Sequence, residues 1–293
     1  SSRSFYQINS AQTEKLYAKA LELAEEHGYT FIHPFDDLAV ATGQGSIAME
    51  IVQELPTVDY IIVPIGGGGL ITGISTLAKM LNPKIKVIGV EPAAAASMTA
   101  ALEKGEPVTL PSANTIADGT AVKRVGETIF PYCQENIHQV LTVEDNELIG
   151  AFRDMVENHK MIVENSGLLA VAALRQLDLK GKKAVVILSG GNMDVITMSS
   201  VVQHGLIQKD RIFSVSVLLP DKAGELVKVA SIIAKEKGNV IKLEHNQFVS
   251  INRINAVELR VTMEAYGTEH KMAILRALKE SGYKPELVDT KLY

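Results

Sequence analysis

The sequence predicts an α/β chain: an open, mostly parallel sheet covered by helices, followed by a smaller module of βαββαβ order. Two observations carry the first part. Apolar, β-branched runs such as "YIIVPI" and "IKVIGVEP" alternate with helical periodicity, and strands of this kind are buried on both faces. Glycine turns, "IGGGGL" and "LSGGN", stand at the ends of such runs, where open α/β sheets bind ligands. A third observation carries the second part. Beyond about residue 207 the pattern becomes strand, helix, strand, strand, helix, strand, the split arrangement of small two-layer modules.

The elements follow in order. Leu16, Ala20, Leu23 and Ala24 share one face of a helix from Ala11 to Glu26, and Gly28 suits the position past its end. "YTFIHPF" is expected as a short strand closed by Pro34, and "GQGSIAMEIVQEL" (43–55) as a helix opened by glycines. A strand over 60–65, the glycine turn, a helix over 70–82 and a strand over 85–92 make a βαβ unit. Helices over 144–160 and 167–177 and a strand-into-turn over 183–192 complete this part. The second part reads as strand 212–219, helix 224–238, strands 239–248 and 256–264, helix 269–282 and a strand over 283–288. We place an N-terminal segment at 1–42, an α/β lobe at 43–206 and the smaller βαββαβ module at 207–293.

Composition excludes several functions. A formal charge of -5 and a pI near 5.8 argue against nucleic acid or an anionic membrane as partner. No apolar run reaches the roughly 18 residues that a membrane helix needs. Cys133 is alone, no secretory signal is apparent, and the seven histidines include no i,i+4 pair, so neither a disulfide framework nor a metal site is expected. The expected compartment is the cytoplasm. The opening "SSRSFYQINS" lacks a methionine and reads as a processed end, a tag remnant or a fragment boundary.

Four consecutive glycines between a strand and a helix expose amides and a helix N-terminus, the geometry that holds an anion. The run lacks the Lys-Ser/Thr ending of a triphosphate loop. Glu91 ends the next strand, so spacing alone leaves a dinucleotide site open. A tight turn serving only helix–strand packing is the other reading. Ser189, in the second glycine turn, is a neutral hydroxyl able to hydrogen-bond a heteroaromatic nitrogen.

Taken in order, "VPIGGGGL", "GVEP", "TIADG", "VENSG" and "ILSGGN" resemble the pyridoxal-phosphate enzymes of the tryptophan-synthase β fold, and among them the threonine ammonia-lyases. "HPFDDLAVATGQGSIAMEI" is similar to the stretch where that family passes from its small to its large domain. The resemblance runs from about residue 17 to 200. It implies that Gly66, Gly67, Gly68, Gly69 and Leu70 offer amides to the cofactor phosphate. Ser189 would face the pyridine nitrogen, with Gly190, Gly191 and Asn192 lining that end and Glu164 flanking the ring. Asn165 stands where relatives often carry Gly or Pro. Asp118 lies near the cation site of some relatives, and equally suits a turn. The implied activity is dehydration and deamination of threonine, or of serine, to a 2-oxo acid and ammonia. The family's Schiff-base lysine sits in a Ser-x-Phe-Lys-type motif that is not found among these residues. The expectation is therefore that this chain supplies no catalytic residue and is inactive alone.

Residues 211–293 resemble an ACT domain, the amino-acid-sensing module of many amino-acid enzymes, of ferredoxin-like fold. "LLPDKAGEL" carries the likeness, and it implies an effector site at Asp221, Gly224, Glu225, Leu226 and Asn239, formed between paired modules. A free-edged sheet also suggests a homo-oligomer, dimer or tetramer. The other readings are a non-catalytic amino-acid sensor with a pseudo-enzyme lobe, and a related serine dehydratase or racemase.

Overall fold

The computed structural model describes residues 13–247 and 257–290; the opening decapeptide and Phe248 lie outside the described residues. The chain divides into two units, one reaching residue 148 and including 163–191, the other made of 149–162 and the residues from 192 onward. The boundary placed at 207 from sequence thus differs from this division over residues 149–162 and 192–206.

Helix α1 (Thr13–His27) ends at Gly28, whose φ of 65° is the left-handed conformation that costs glycine nothing. The strand expected at "YTFIHPF" does not form. His33 Nδ1 accepts the amides of Phe35 (3.2 Å) and Asp36 (2.8 Å), which turns the chain, and Pro34 has no amide for a ladder. The rings of Tyr17, Phe31, His33 and Phe35 pack edge to face instead. The helix expected over 43–55 begins earlier, because Asp37 caps it by accepting from Ala39 N (2.7 Å) and Val40 N (3.1 Å). It is two helices, α2 (Leu38–Gln44) and α3 (Ser46–Glu54), joined at Gly45. A Cβ on Gly73 would lie 2.0 Å from the Ala41 carbonyl oxygen, so glycine there lets the next helix cross α2 backbone to backbone.

Strand β1 (Tyr60–Pro64), helix α4 (Gly69–Leu81) and strand β2 (Lys86–Pro92) form the expected βαβ unit. Helices α5 (Ser97–Lys104) and α6 (Phe130–Asn136) and strand β3 (Gln139–Val143) follow, none of them anticipated from sequence. Helix α7 (Asp145–Asp154) ends in a wide turn over Met155–His159. Helix α8 (Leu169–Ala172) tightens into a 3₁₀ turn, and strand β4 (Ala184–Val186) is much shorter than the expected 183–192. The sheet order is β3-β2-β1-β4, every pair parallel. Ile61, Ile62 and Val63 of the central strand are wholly buried, which contributes about 1.5–3 kcal/mol for each side chain. Both glycine turns follow carboxyl ends of these strands.

The second unit adds helix α9 (Val195–Gln208), capped by Asp194, and then strand β5 (Ile212–Leu219) and helix α10 (Glu225–Lys235). Strands β6 (Asn239–Asn246) and β7 (Val257–Glu264), helix α11 (Thr268–Glu280) and strand β8 (Glu286–Val288) complete it. The order β6-β7-β5-β8, antiparallel throughout, is the split βαβ topology expected from the sequence. Its core joins Val215, Val217, Leu259 and Val261 of the sheet to Val229, Ile233, Ile274 and Leu278 of α10 and α11. Among the described residues no helix is long and apolar enough to cross a membrane.

Candidate functional site

The glycine run leaves β1 and enters α4 through Gly68, at φ 104°. Residues Gly66 to Leu70 donate none of the backbone hydrogen bonds that close this turn. The carbonyls of Gly67 and Gly68 accept instead, from Gly126 N (3.0 Å) and Thr72 N (3.0 Å). The amides are thus left for a ligand at the positive end of α4. Three of the four glycines also have a neighbour closer than a Cβ tolerates. A Cβ would lie 2.1 Å from the Phe35 ring at Gly67, 2.6 Å from Ile129 Cδ1 at Gly68 and 2.7 Å from the Phe35 carbonyl oxygen at Gly69. The run is therefore a cradle set by packing as well as by its free amides.

A cavity of about 390 Å³ opens onto it, within the range of small-molecule sites. Gly66–Leu70, Glu164 and Ser189 border it, so seven of the residues singled out from sequence meet there. Phe35, Gly119, Thr120 and Ser166 also border it and were not singled out. "HPF" and "TIADG" were visible as motifs, but which of their side chains face a ligand depends on the turns they make. Thr120 is held by its Oγ1 donating to the Ala117 carbonyl (3.0 Å) and reaching Ser166 Oγ (3.4 Å).

Gly190, at φ 86°, lies behind Glu164: a Cβ there would fall 2.0 Å from Glu164 Oε1. Glu164 N donates to the Gly190 carbonyl (3.4 Å). Gly191 and Asn192 are exposed, and the wall of the cavity ends at Ser189. Asp118 is exposed and its Oδ1 accepts the Gly119 amide (2.9 Å), a turn role. Glu91 is fully buried and accepts from Met98 N (2.6 Å), Thr99 N (2.9 Å) and Thr99 Oγ1 (2.8 Å). Burial pushes its carboxyl above the usual range, and the hydrogen bonds oppose that. Fully buried and turned to the start of α5, Glu91 presents no open oxygen to a ribose, which removes the dinucleotide reading.

Cys133 lies behind the cradle, its Sγ 3.1 Å from Thr72 Oγ1. Burial pushes this thiol up to about 12. The native protein is expected to resist a thiol-specific chromogenic reagent at pH 8 and to react fully once denaturant unfolds it. Rapid labelling of the folded protein would contradict this.

In the second unit Gly224, at φ 91°, precedes α10 after the end of β5. Asp221 and Leu226 are exposed, while Glu225 pairs with Lys228 (2.7 Å) and accepts from Tyr283 Oη (3.1 Å). Asn239 Nδ2 donates to Glu264 Oε2 (2.9 Å). Strand register pairs Glu264 with both Ile212 and Asn239, while Leu219 pairs with Val257. Gly224 and Asn239 therefore occupy opposite ends of one sheet and are not brought together within one module. A cleft of about 200 Å³ lies at the Asn239 end, bordered by Arg211, Lys237, Glu264 and Tyr266.

Fold and cavity define the class: a parallel α/β lobe with a cavity and exposed amides at the carboxyl ends of its strands, where open α/β sheets bind ligands. Comparison makes this specific. Residues 6–190 match the family described as pyridoxal-phosphate dependent enzyme. The L-threonine ammonia-lyase of Geobacter sulfurreducens is 41% identical over 273 residues, covering 92% of this chain and 68% of that protein. The processed form of threonine deaminase isoform 2 from Solanum lycopersicum superposes with a TM-score of 0.60 at 40% identity, over 64% of this chain and 55% of that one. Maize serine racemase gives a TM-score of 0.60 at 32% identity, over 70% of this chain and 63% of that one. The chain belongs to the pyridoxal-phosphate-dependent enzymes, among the relatives of threonine ammonia-lyase. The family's cofactor is pyridoxal phosphate, and the cradle fits its phosphate: its five amides have no hydrogen-bond partner among the described residues, and no side chain projects from its first four residues.

Proposed function

We propose that this chain forms the cofactor lobe for deamination of threonine, and of serine, to a 2-oxo acid and ammonia. The carrying observation is the free-amide cradle at one side of a cavity that also meets Ser189 and Glu164. When bound, pyridoxal phosphate supplies an electron sink for removing a proton from the amino-acid Cα and expelling the β-hydroxyl. In this reading Gly66–Leu70 hold the phosphate and Ser189 gives the ring nitrogen a neutral partner. A neutral hydroxyl does not enforce protonation of that nitrogen, which favours prompt elimination over a long-lived carbanion. Glu164 flanks the ring, and Gly190 leaves room for it. Gly191 and Asn192 belong to the same turn.

No lysine borders the cavity among the described residues, so this chain is expected to hold the cofactor through phosphate and ring contacts. Incubation with pyridoxal phosphate, borohydride reduction and mapping of lysines should show reversible binding that phosphate displaces, without a stoichiometric adduct between Ser1 and Tyr293. A mapped adduct would falsify this part. Supplying the amine as millimolar ethylamine tests the reaction. Threonine should then yield 2-oxobutanoate and ammonia faster than with the cofactor free in solution. An unchanged rate would favour the non-catalytic sensor, and racemised serine without keto acid would favour a racemase.

The second unit is proposed as an ACT module that senses an amino acid, with isoleucine and valine as leading effectors. Because Gly224 and Asn239 lie at opposite ends of the sheet, the site at Asp221, Gly224, Glu225 and Leu226 would be completed by Asn239 of a second copy. This reading requires a homo-oligomer. Calorimetry with isoleucine, valine, serine and threonine should show heat for at least one at millimolar concentration, lost in Gly224→Val; silence for all four would remove the proposal.

A further inference from the structure

The segment His33–Asp37 makes contacts that a connector between helices does not need. His33 Nδ1 folds it by accepting two of its amides, and this fold places the Phe35 ring against Gly67 and the Phe35 carbonyl against Gly69. It also delivers the Asp36 carboxylate to a loop more than ninety residues away. Oδ1 accepts from Thr128 N (2.8 Å) and Ile129 N (3.2 Å), and Oδ2 accepts from Glu127 N (3.1 Å). One ionised group thus gathers three successive amides, which are stronger hydrogen bonds than neutral pairs make.

The gathered loop bears directly on the glycine run. Gly126, just before the three amides, donates to the Gly67 carbonyl (3.0 Å). A Cβ on Gly126 would lie 2.5 Å from Asp36 Oδ1, so carboxylate and loop approach as closely as glycine allows. Ile129, whose amide Asp36 holds, places its Cδ1 where a Gly68 Cβ would stand. The Gly67 carbonyl and the Gly68 amide share one peptide plane, so fixing that carbonyl and the left-handed Gly68 decides where the Gly68 and Gly69 amides point.

We propose that Asp36 is a positioning residue for the phosphate cradle, acting through Gly126 and Ile129 to aim the amides of Gly66–Leu70. This rests on the cradle reading above and adds a residue to it that does not touch the ligand. The alternative is a merely structural role, in which Asp36 ties two segments together and phosphate affinity follows stability.

The test uses the whole chain and inorganic phosphate, followed by calorimetry and by the amide resonances of Gly66–Leu70. Asp36→Ala should weaken phosphate at least tenfold and shift those resonances before any ligand is added. Asp36→Asn keeps a neutral acceptor for Thr128 and Ile129 and should weaken phosphate less, between threefold and tenfold. Asp59→Ala is the structural comparator. It removes another long-range bond, to Lys183 N (2.8 Å), at the opposite end of β1, and should leave affinity unchanged. Equal weakening by Asp36→Ala and Asp59→Ala would overturn the proposal, as would unchanged affinity in Asp36→Ala. Should Asp36→Ala fail to unfold cooperatively, Asp36→Asn decides alone: altered resonances with affinity between threefold and tenfold weaker support positioning, and wild-type values overturn it. Gly68→Val separates the two layers. If it binds phosphate as the wild type does, the cradle reading fails and this proposal with it; if it loses binding while Asp36→Ala keeps it, only the positioning role falls.

Discussion

Replacing Gly68 with valine should weaken phosphate binding at least roughly 100-fold and cost about 2–6 kcal/mol of stability. Two terms add. A β-branched residue at φ 104° sits outside the conformations open to it, at roughly 1–3 kcal/mol. Its Cβ would also meet Ile129 Cδ1 at 2.6 Å and Met98 Cε at 3.1 Å, and overpacking of that kind costs about 1–3 kcal/mol. Relief of either term rotates the peptide that aims the cradle amides, so affinity falls with stability. Titration calorimetry should show phosphate binding weakened at least roughly 100-fold, which is about 2.7 kcal/mol. Gly68→Ala keeps the backbone strain with less bulk and should fall between the two. A Gly68→Val protein that melts near the wild type and binds phosphate normally would show that the run is only a turn.

Gly68 also marks what sequence conveys and what it withholds. Four glycines after a buried strand announce close approach, but not what approaches: the ring of Phe35 and the side chain of Ile129 are distant in sequence and adjacent in space. The βαβ unit and the whole βαββαβ order were legible because their periods are long and regular. "YTFIHPF" misled because alternation of large residues looks like a strand until one asks where His33 Nδ1 points; it accepts two amides and makes a turn. Helices α5 and α6 and strand β3 were missed because short elements give little periodic signal. Helix α5 depends on a buried Glu91 seven residues upstream for its first hydrogen bonds. Glu91 shows the same limit at the site. Its place at a strand end fitted a ribose contact, and only its buried partners assign it to a helix start. Gly190 was singled out for the ring end; its close neighbour proved to be Glu164, a relation that no spacing in the sequence encodes.

That far end of the cavity carries the second large expectation. In Gly167→Ala the new Cβ would lie 2.1 Å from the Ser189 carbonyl oxygen and 3.0 Å from its carbonyl carbon. Both are backbone atoms with no flexible side chain to swing aside, so the Ser189 turn must retreat by more than an ångström. Val163 Cγ1, at 2.9 Å, blocks the alternative of moving Gly167 the other way. The cradle follows a different strand and should be untouched. The two ends should therefore separate experimentally. Inorganic phosphate should bind Gly167→Ala as it binds the wild type. 4′-Deoxypyridoxine 5′-phosphate, which adds the ring but has no aldehyde, should lose about tenfold, the worth of roughly one hydrogen bond near 1.4 kcal/mol. Ser189→Ala removes only the hydroxyl and should lose somewhat less, since the turn stays in place. If Gly167→Ala weakened phosphate and the ring-bearing ligand equally, Ser189 would have no part in holding the ring. The loss would then belong to the lobe as a whole, and the assignment of the two ends would fail.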